Sequence, residues 1–102
     1  MIRLIEEDNV VLGVVLLYPQ RDGEVAFFTR NPRRGIGTRL LGIVEKLARE
    51  AQLPAVWAWV REDNPIAGRV FEKCGYRALG GEARIYQSGV INGTRYVRYL
   101  TL

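Results

Sequence analysis

Residues 31–41 read NPRRGIGTRLL, with two glycines one residue apart, behind two arginines and ahead of an apolar run. The first turn of a helix leaves its N–H groups unpaired and carries a partial positive charge. Gly35 and Gly37 would let a ligand approach that backbone closely. The N–H groups of Gly35, Ile36, Gly37, Thr38 and Arg39 then form a candidate phosphate cradle, with Arg33 and Arg34 supplying charge. Two familiar nucleotide motifs fail here. A dinucleotide-binding fingerprint needs a third glycine where Leu40 stands, and a P-loop needs Gly-Lys-Ser/Thr, which the chain lacks. A phosphate loop of another kind and a tight turn without ligand both stay open on these residues alone.

The rest of the composition removes chemistry. There is no histidine, which excludes Ser/His/Asp triads, Cys-His dyads and nearly every catalytic zinc arrangement. Cys74 is the single cysteine, so neither an internal disulfide nor a multi-cysteine metal site can form. It reads as a small apolar residue at a helix end, with no base to activate it. The net charge is +4, and apart from Lys46 and Lys73 every basic side chain is arginine, which suits bidentate phosphate or carboxylate contacts. An anionic partner is expected: nucleic acid, a phosphorylated cofactor or an acidic surface.

These residues must be held by one domain. A chain of 102 residues with 48% hydrophobic content can bury roughly 60–70% of its unfolded surface in a single core. No run approaches the ~20 apolar residues of a membrane span, and the acidic N-terminus does not resemble a secretory signal, so a cytoplasmic protein is expected. Residues 2–7, 10–18 (VVLGVVLLY) and 24–29 (EVAFFT) read as an antiparallel meander with turns at Asp8–Asn9 and Asp22–Gly23. A helix follows to about Gln52, with Leu40, Val44, Leu47, Ala48 and Ala51 on one face. Strand 55–60 alternates Trp57 and Trp59 against Val56, Ala58 and Val60. A short helix over 65–74 has Asn64 as N-cap, Pro65 in its first position and Gly75 past its end. Gly68 inside it implies close packing against a neighbour. Residues 76–87 and 94–102 are expected as strands joined through Asn92–Gly93, the latter an edge strand. Its TRYVRYL segment interleaves basic and aromatic residues, as single-stranded nucleic-acid binders do. The fold class is α+β: a mixed, mostly antiparallel sheet flanked by two helices, in the order β-β-β-α-β-α-β-β.

The segment NPIAGRVFEKCGY, one strand beyond the glycine turn, resembles a signature of the Gcn5-related N-acetyltransferase (GNAT) superfamily. That signature has an asparagine at a strand end, a small residue three on, an aromatic seven on, and a Glu-Lys-x-Gly-aromatic ending; Asn64, Ala67, Phe71, Glu72, Lys73, Gly75 and Tyr76 occupy these places. The glycine turn resembles the last half of the family's Gln/Arg-x-x-Gly-x-Gly/Ala motif. The two together, in the right order, cover about residues 10 to 87.

The resemblance implies transfer of an acetyl group from acetyl-CoA, with no metal, to a small-molecule or protein amine. Pyrophosphate would rest on the N–H groups of residues 33–39, and the pantetheine arm would lie as an extra strand between 24–29 and 55–60. Asn64 and Phe71 would contact the cofactor. A backbone N–H at Phe28 would hold the carbonyl oxygen as it gains charge. Glu24 matches the place of a glutamate that serves some members as base. The chain departs from the pattern in three places. Pro32 stands where the motif opens with Gln or Arg, and Arg33 follows one residue later. Phe71 replaces the usual general-acid tyrosine, which implies slower or differently assisted transfer. The match begins at the family's second strand, so the first strand and the two helices that wall the acceptor site have no counterpart; the pocket is expected to be open or completed by a second subunit in a homodimer. A CoA-binding module without turnover and a basic nucleic-acid binder are the competing readings.

Overall fold

Asp8 and Asn9 both adopt left-handed backbone (φ 51° and 63°), and this two-residue turn folds β1 (Ile2–Glu7) back on β2 (Val10–Tyr18). A 3₁₀ turn at Pro19–Arg21 and a second left-handed pair, Asp22–Gly23, return the chain into β3 (Glu24–Thr29). The computed structural model describes residues 1–31 and 35–100, and Pro32, Arg33, Arg34 and the last two residues lie outside it. The remaining elements are α1 (Ile36–Glu50), β4 (Ala55–Arg61), α2 (Pro65–Lys73), β5 (Arg77–Tyr86) and β6 (Gly89–Tyr99). The expected fold class and element order hold.

The sheet runs β1-β2-β3-β4-β6-β5, antiparallel everywhere except the β3–β4 contact. Both helices pack on one face. Ile36, Leu40, Leu41, Val44 and Ala48 of α1 meet Val15, Leu17 and Val25, while Phe71 of α2 joins Val56, Ala58, Val60 and Tyr96. Leu41 belongs to this core although the sequence reading omitted it, and Ala51 is exposed because α1 stops at Glu50, one residue before it. The opposite face carries no helix among the described residues.

Arg98 of β6 ties the two helices together. Its guanidinium donates to the Cys74 carbonyl that ends α2 (2.7 Å) and to Glu45 of α1 (2.9 Å). Asn64 caps α2 as expected, its Oδ1 accepting the Ala67 N–H at 3.3 Å. Gly68 is explained too: a Cβ there would sit 2.8 Å from the Tyr96 hydroxyl.

Two expectations fail at the C-terminal hairpin. The turn falls at Gln87–Ser88, and Asn92–Gly93 lies inside β6. Gly93 is there for space: a Cβ would stand 2.5 Å from Trp59 Cε2 and 2.6 Å from the Val60 carbonyl oxygen. β6 is also not an edge strand, because it pairs with β4 on one side and β5 on the other. Its arginines diverge, Arg95 toward the helix-free face and Arg98 toward the helices. Gly93→Ala should destabilise the fold by about 1–3 kcal/mol, the usual cost of overpacking. Urea unfolding measures this, and an unchanged midpoint would mean that Trp59 yields freely.

Candidate functional site

Strands β3 and β4 pair only at Glu24–Trp57, where the Trp57 N–H donates to the Gly23 carbonyl at 3.1 Å. Beyond that point they part. Backbone polar groups alternate sides along a strand. The Arg30 N–H donates to Leu12 of β2, so the even-numbered residues of β3 direct their backbone toward β2. Gly23 faces β4, and Val25, Phe27 and Thr29 follow it. On β4, Trp57 faces β3, and Trp59 and Arg61 follow. Phe27, Thr29, Trp59 and Arg61 thus turn backbone donors and acceptors into the opening, with no strand across from them among the described residues.

This corrects one expectation. The Phe28 N–H belongs to the β2–β3 ladder, where Phe28 is paired with Val14. The backbone N–H that faces the opening is that of Phe27. The register was readable from sequence, since the Asp22–Gly23 turn sets Tyr18 opposite Glu24 and thereby fixes the parity of every later residue. The Phe28 side chain is 64% exposed on the helix-free face.

A cavity of about 270 Å³ is lined by Phe27, Phe28, Thr29, Gly37, Asn64 and Val70, among others. A second of about 220 Å³ continues from it, with Phe71 and Val60 from the helix face and Ala26, Phe28 and Trp59 from the other.

The start of α1 stands beside the first cavity. Gly35 is its N-cap at φ 69°, no side chain caps the helix, and no acidic residue lies in its first turn. Among the described residues nothing lies within 4 Å of where a Gly35 Cβ would be. Ile36, Gly37 and Thr38 form the first turn, and among the described residues no carbonyl receives their N–H groups. The Arg39 N–H differs: it donates to the Gly35 carbonyl at 3.2 Å, and the Arg39 side chain pairs with Glu7 at 3.6 Å. The cradle therefore narrows to residues 36–38. Gly37 has a second duty, because a Cβ there would come 3.0 Å from the Phe27 ring and 3.2 Å from Val70. Arg33 and Arg34, expected to add charge here, fall outside the described residues.

Phe71 is 3% exposed. Its ring meets Phe27, Tyr76 and Tyr96, with centroids at 5.3, 4.9 and 6.0 Å. Neither neighbouring tyrosine lines the passage. The Tyr96 hydroxyl lies over Gly68 and bonds Glu72 at 3.5 Å, and burial pushes its ionisation up. Burial does the same to Tyr76.

Glu24, at the β3–β4 pairing and in the lining of neither cavity, has a 16% exposed side chain between Arg21 (3.3 Å) and Arg84 (4.0 Å). The helix-free face beside it holds features the motif search missed. The Trp57 and Trp59 indole N–H groups donate to the carbonyls of Arg21 and Glu82 at 2.9 and 2.8 Å, and Arg95 and Arg84 stack over their rings at 3.9 and 4.3 Å. Glu82 lies between the two arginines; the hydrogen bond from Arg95, then the charges of Arg95 and Arg84, hold its carboxyl below the usual carboxylate range. Only the period-2 placement of Trp57 and Trp59 hinted at this layer.

The family model for the acetyltransferase (GNAT) family matches residues 1–76. The chain belongs to the GNAT family. Solved structures share its fold at low identity. A ribosomal-protein-alanine N-acetyltransferase from Brucella melitensis is 18% identical with a TM-score of 0.84, over 97% of this chain and 68% of that one. The yncA protein of Salmonella typhimurium, solved with its cofactor acetyl-CoA, is 18% identical with a TM-score of 0.86, over 98% and 64%. An N-acetyltransferase from Staphylococcus aureus is 19% identical with a TM-score of 0.82, over 98% and 67%. The chain thus spans about two thirds of the length of these proteins. No curated protein sequence matches it.

Cys74 lies in a separate cleft between the helices with Thr38, Glu45, Lys73 and Arg98, and burial pushes its thiol up. At pH 7.5 iodoacetamide should modify it more slowly than free cysteine, because the thiolate is the reactive form. Modification followed by mass spectrometry measures this, and a rate equal to that of free cysteine would show an activated thiol.

Proposed function

We propose that the chain binds acetyl-CoA in the opening between β3 and β4 and transfers the acetyl group to an amine. The observation that carries the reading is the unpaired strand backbone leading to an uncapped helix N-terminus. A pantetheine arm offers two amides that can pair with such an edge, and a diphosphate suits the N–H groups of residues 36–38.

The chain's own groups then have distinct roles. The Phe27 N–H supports negative charge on the acyl oxygen during attack. Phe71, Phe27 and Val70 exclude water around the thioester, and the Asn64 amide NH₂, left over from capping, is available to the arm. An alkylammonium with a pKa about 10 is only ~0.1% neutral at pH 7, so the acceptor must lose a proton before it attacks. Glu24 is the carboxylate at the β3–β4 pairing that can receive it. With Phe71 in place of a tyrosine, water protonates the departing thiolate.

The acceptor reaches the acyl group from the helix-free face, which Ile2, Leu4 and Phe28 leave apolar and exposed. The reading includes a second copy against this face, forming a homodimer that walls the acceptor site, in the cytoplasm. Sedimentation at micromolar concentration should give twice the monomer mass, and a pure monomer would remove the dimer from the account. The lack of a hydroxyl on Phe71 also favours a second reading, a CoA-binding module without turnover; thiol release over an amine panel separates it from the enzyme.

Acetyl-CoA at a hundredfold excess over its Kd should stabilise the protein by about 2.7 kcal/mol. Gly35→Asp should abolish that shift and leave the circular dichroism spectrum intact, because aspartate tolerates left-handed backbone while its charge opposes a phosphate. Undiminished stabilisation in the variant would refute the helix-tip site.

A further inference from the structure

On the helix-free face a cluster of charges adjoins Trp59, which lines the second cavity. Arg21, Arg84 and Arg95 surround Glu24 and Glu82, so three guanidiniums share two carboxylates. Arg61, which also lines the passage, is satisfied separately by a two-bond contact with Asp63 at 3.0 and 2.8 Å. Among the described residues the cluster thus holds one guanidinium more than it has carboxylates.

The cluster is also pre-oriented. Each indole is pinned through its N–H to a backbone carbonyl, and a guanidinium lies flat on each ring. A stacked guanidinium keeps its five N–H donors at its edge, in the plane that carboxylates and phosphates prefer. Arg84 is loosely engaged: its bonds to Glu82 are 3.4 and 3.5 Å, and Glu24 stands 4.0 Å away. A carboxylate or phosphonate arriving from solution can form shorter bonds of about 2.7–2.9 Å with it. A cationic acceptor has the opposite problem, since Glu24 and Glu82 are both already claimed by arginines.

We propose that the acceptor is an amine carrying an anionic group, such as an amino acid or an aminoalkylphosphonate, with its anion held by Arg84 and Arg95 above Trp59 and Trp57 while its amine enters the passage. This rests on the acetyl-transfer reading and extends it to the class of substrate. Arg84 and Arg95 hold the acceptor and take no part in bond making. The amine nitrogen bonds to the acetyl carbon, the carbon–sulfur bond breaks, the amine proton passes to Glu24 or water, and CoA leaves as its thiol.

The test is thiol release from acetyl-CoA with a panel of L-amino acids and aminoalkylphosphonates, set against the corresponding carboxamides and against linear diamines. Members of the acid panel should exceed their amides and the diamines in kcat/KM by about tenfold or more, the worth of one hydrogen bond to a charged group. Arg84→Ala and Arg95→Ala should remove that preference mainly through KM. Arg84→Glu should turn it toward diamines. Acetyl-CoA-induced thermal stabilisation of each variant confirms that the fold and cofactor site survive. Amides or diamines used as well as the acids, a preference unchanged in the variants, or acetyl-CoA binding with no acid turned over would each overturn the proposal. Absence of any acetyl-CoA stabilisation in the unaltered protein would overturn the parent reading instead.

Discussion

Strands β3 and β4 hydrogen-bond at a single residue pair and then diverge. Nearly everything the molecule can do follows from the backbone this leaves unpaired. A buried strand edge without partners is costly, so a sheet that parts in its middle invites an extended ligand. The divergence also leaves two cavities that share lining residues and draw on both faces of the sheet.

The two helices set the width of that opening. α1 lies on β2 and β3, α2 lies on β4, and the Arg98 bonds to Glu45 and Cys74 hold them at a fixed separation. Gly37 lets Phe27 and Val70 close in on the first turn of α1. Gly35 does something else: its left-handed backbone starts the helix while leaving its tip without a side-chain cap. The paired glycines thus divide into one that packs and one that exposes donors. The arginine-topped tryptophans give the opposite face a charge of its own.

Much of this was legible in the sequence. Asp8–Asn9, Asp22–Gly23, Asn64–Pro65 and Gly75 act through their own backbone preferences, and local chemistry reads off a local pattern. Gly68 announced a close neighbour without naming Tyr96. The misreadings came where a distant residue decided. Asn92–Gly93 has the composition of a turn but sits in a strand, because Trp59 occupies the space a side chain would need. TRYVRYL looked like an edge until β5 closed over its far side. Phe28 was named where parity selects Phe27, an error of one residue that exchanges the ladder side of a strand for the open side. The stacking of Arg84 and Arg95 on Trp59 and Trp57 joins three strands, and no spacing along the chain encodes it.

Amide resonances of the uniformly ¹⁵N-labelled protein, followed during titration with acetyl-CoA, test the central claim directly. The account requires large shifts at Phe27 and Thr29 and at Ile36, Gly37 and Thr38, with Phe28 little changed because its N–H stays in the β2–β3 ladder. Shifts confined to other parts of the sheet, or larger at Phe28 than at Phe27, would contradict the proposal that the parted strands and the helix tip hold one extended ligand.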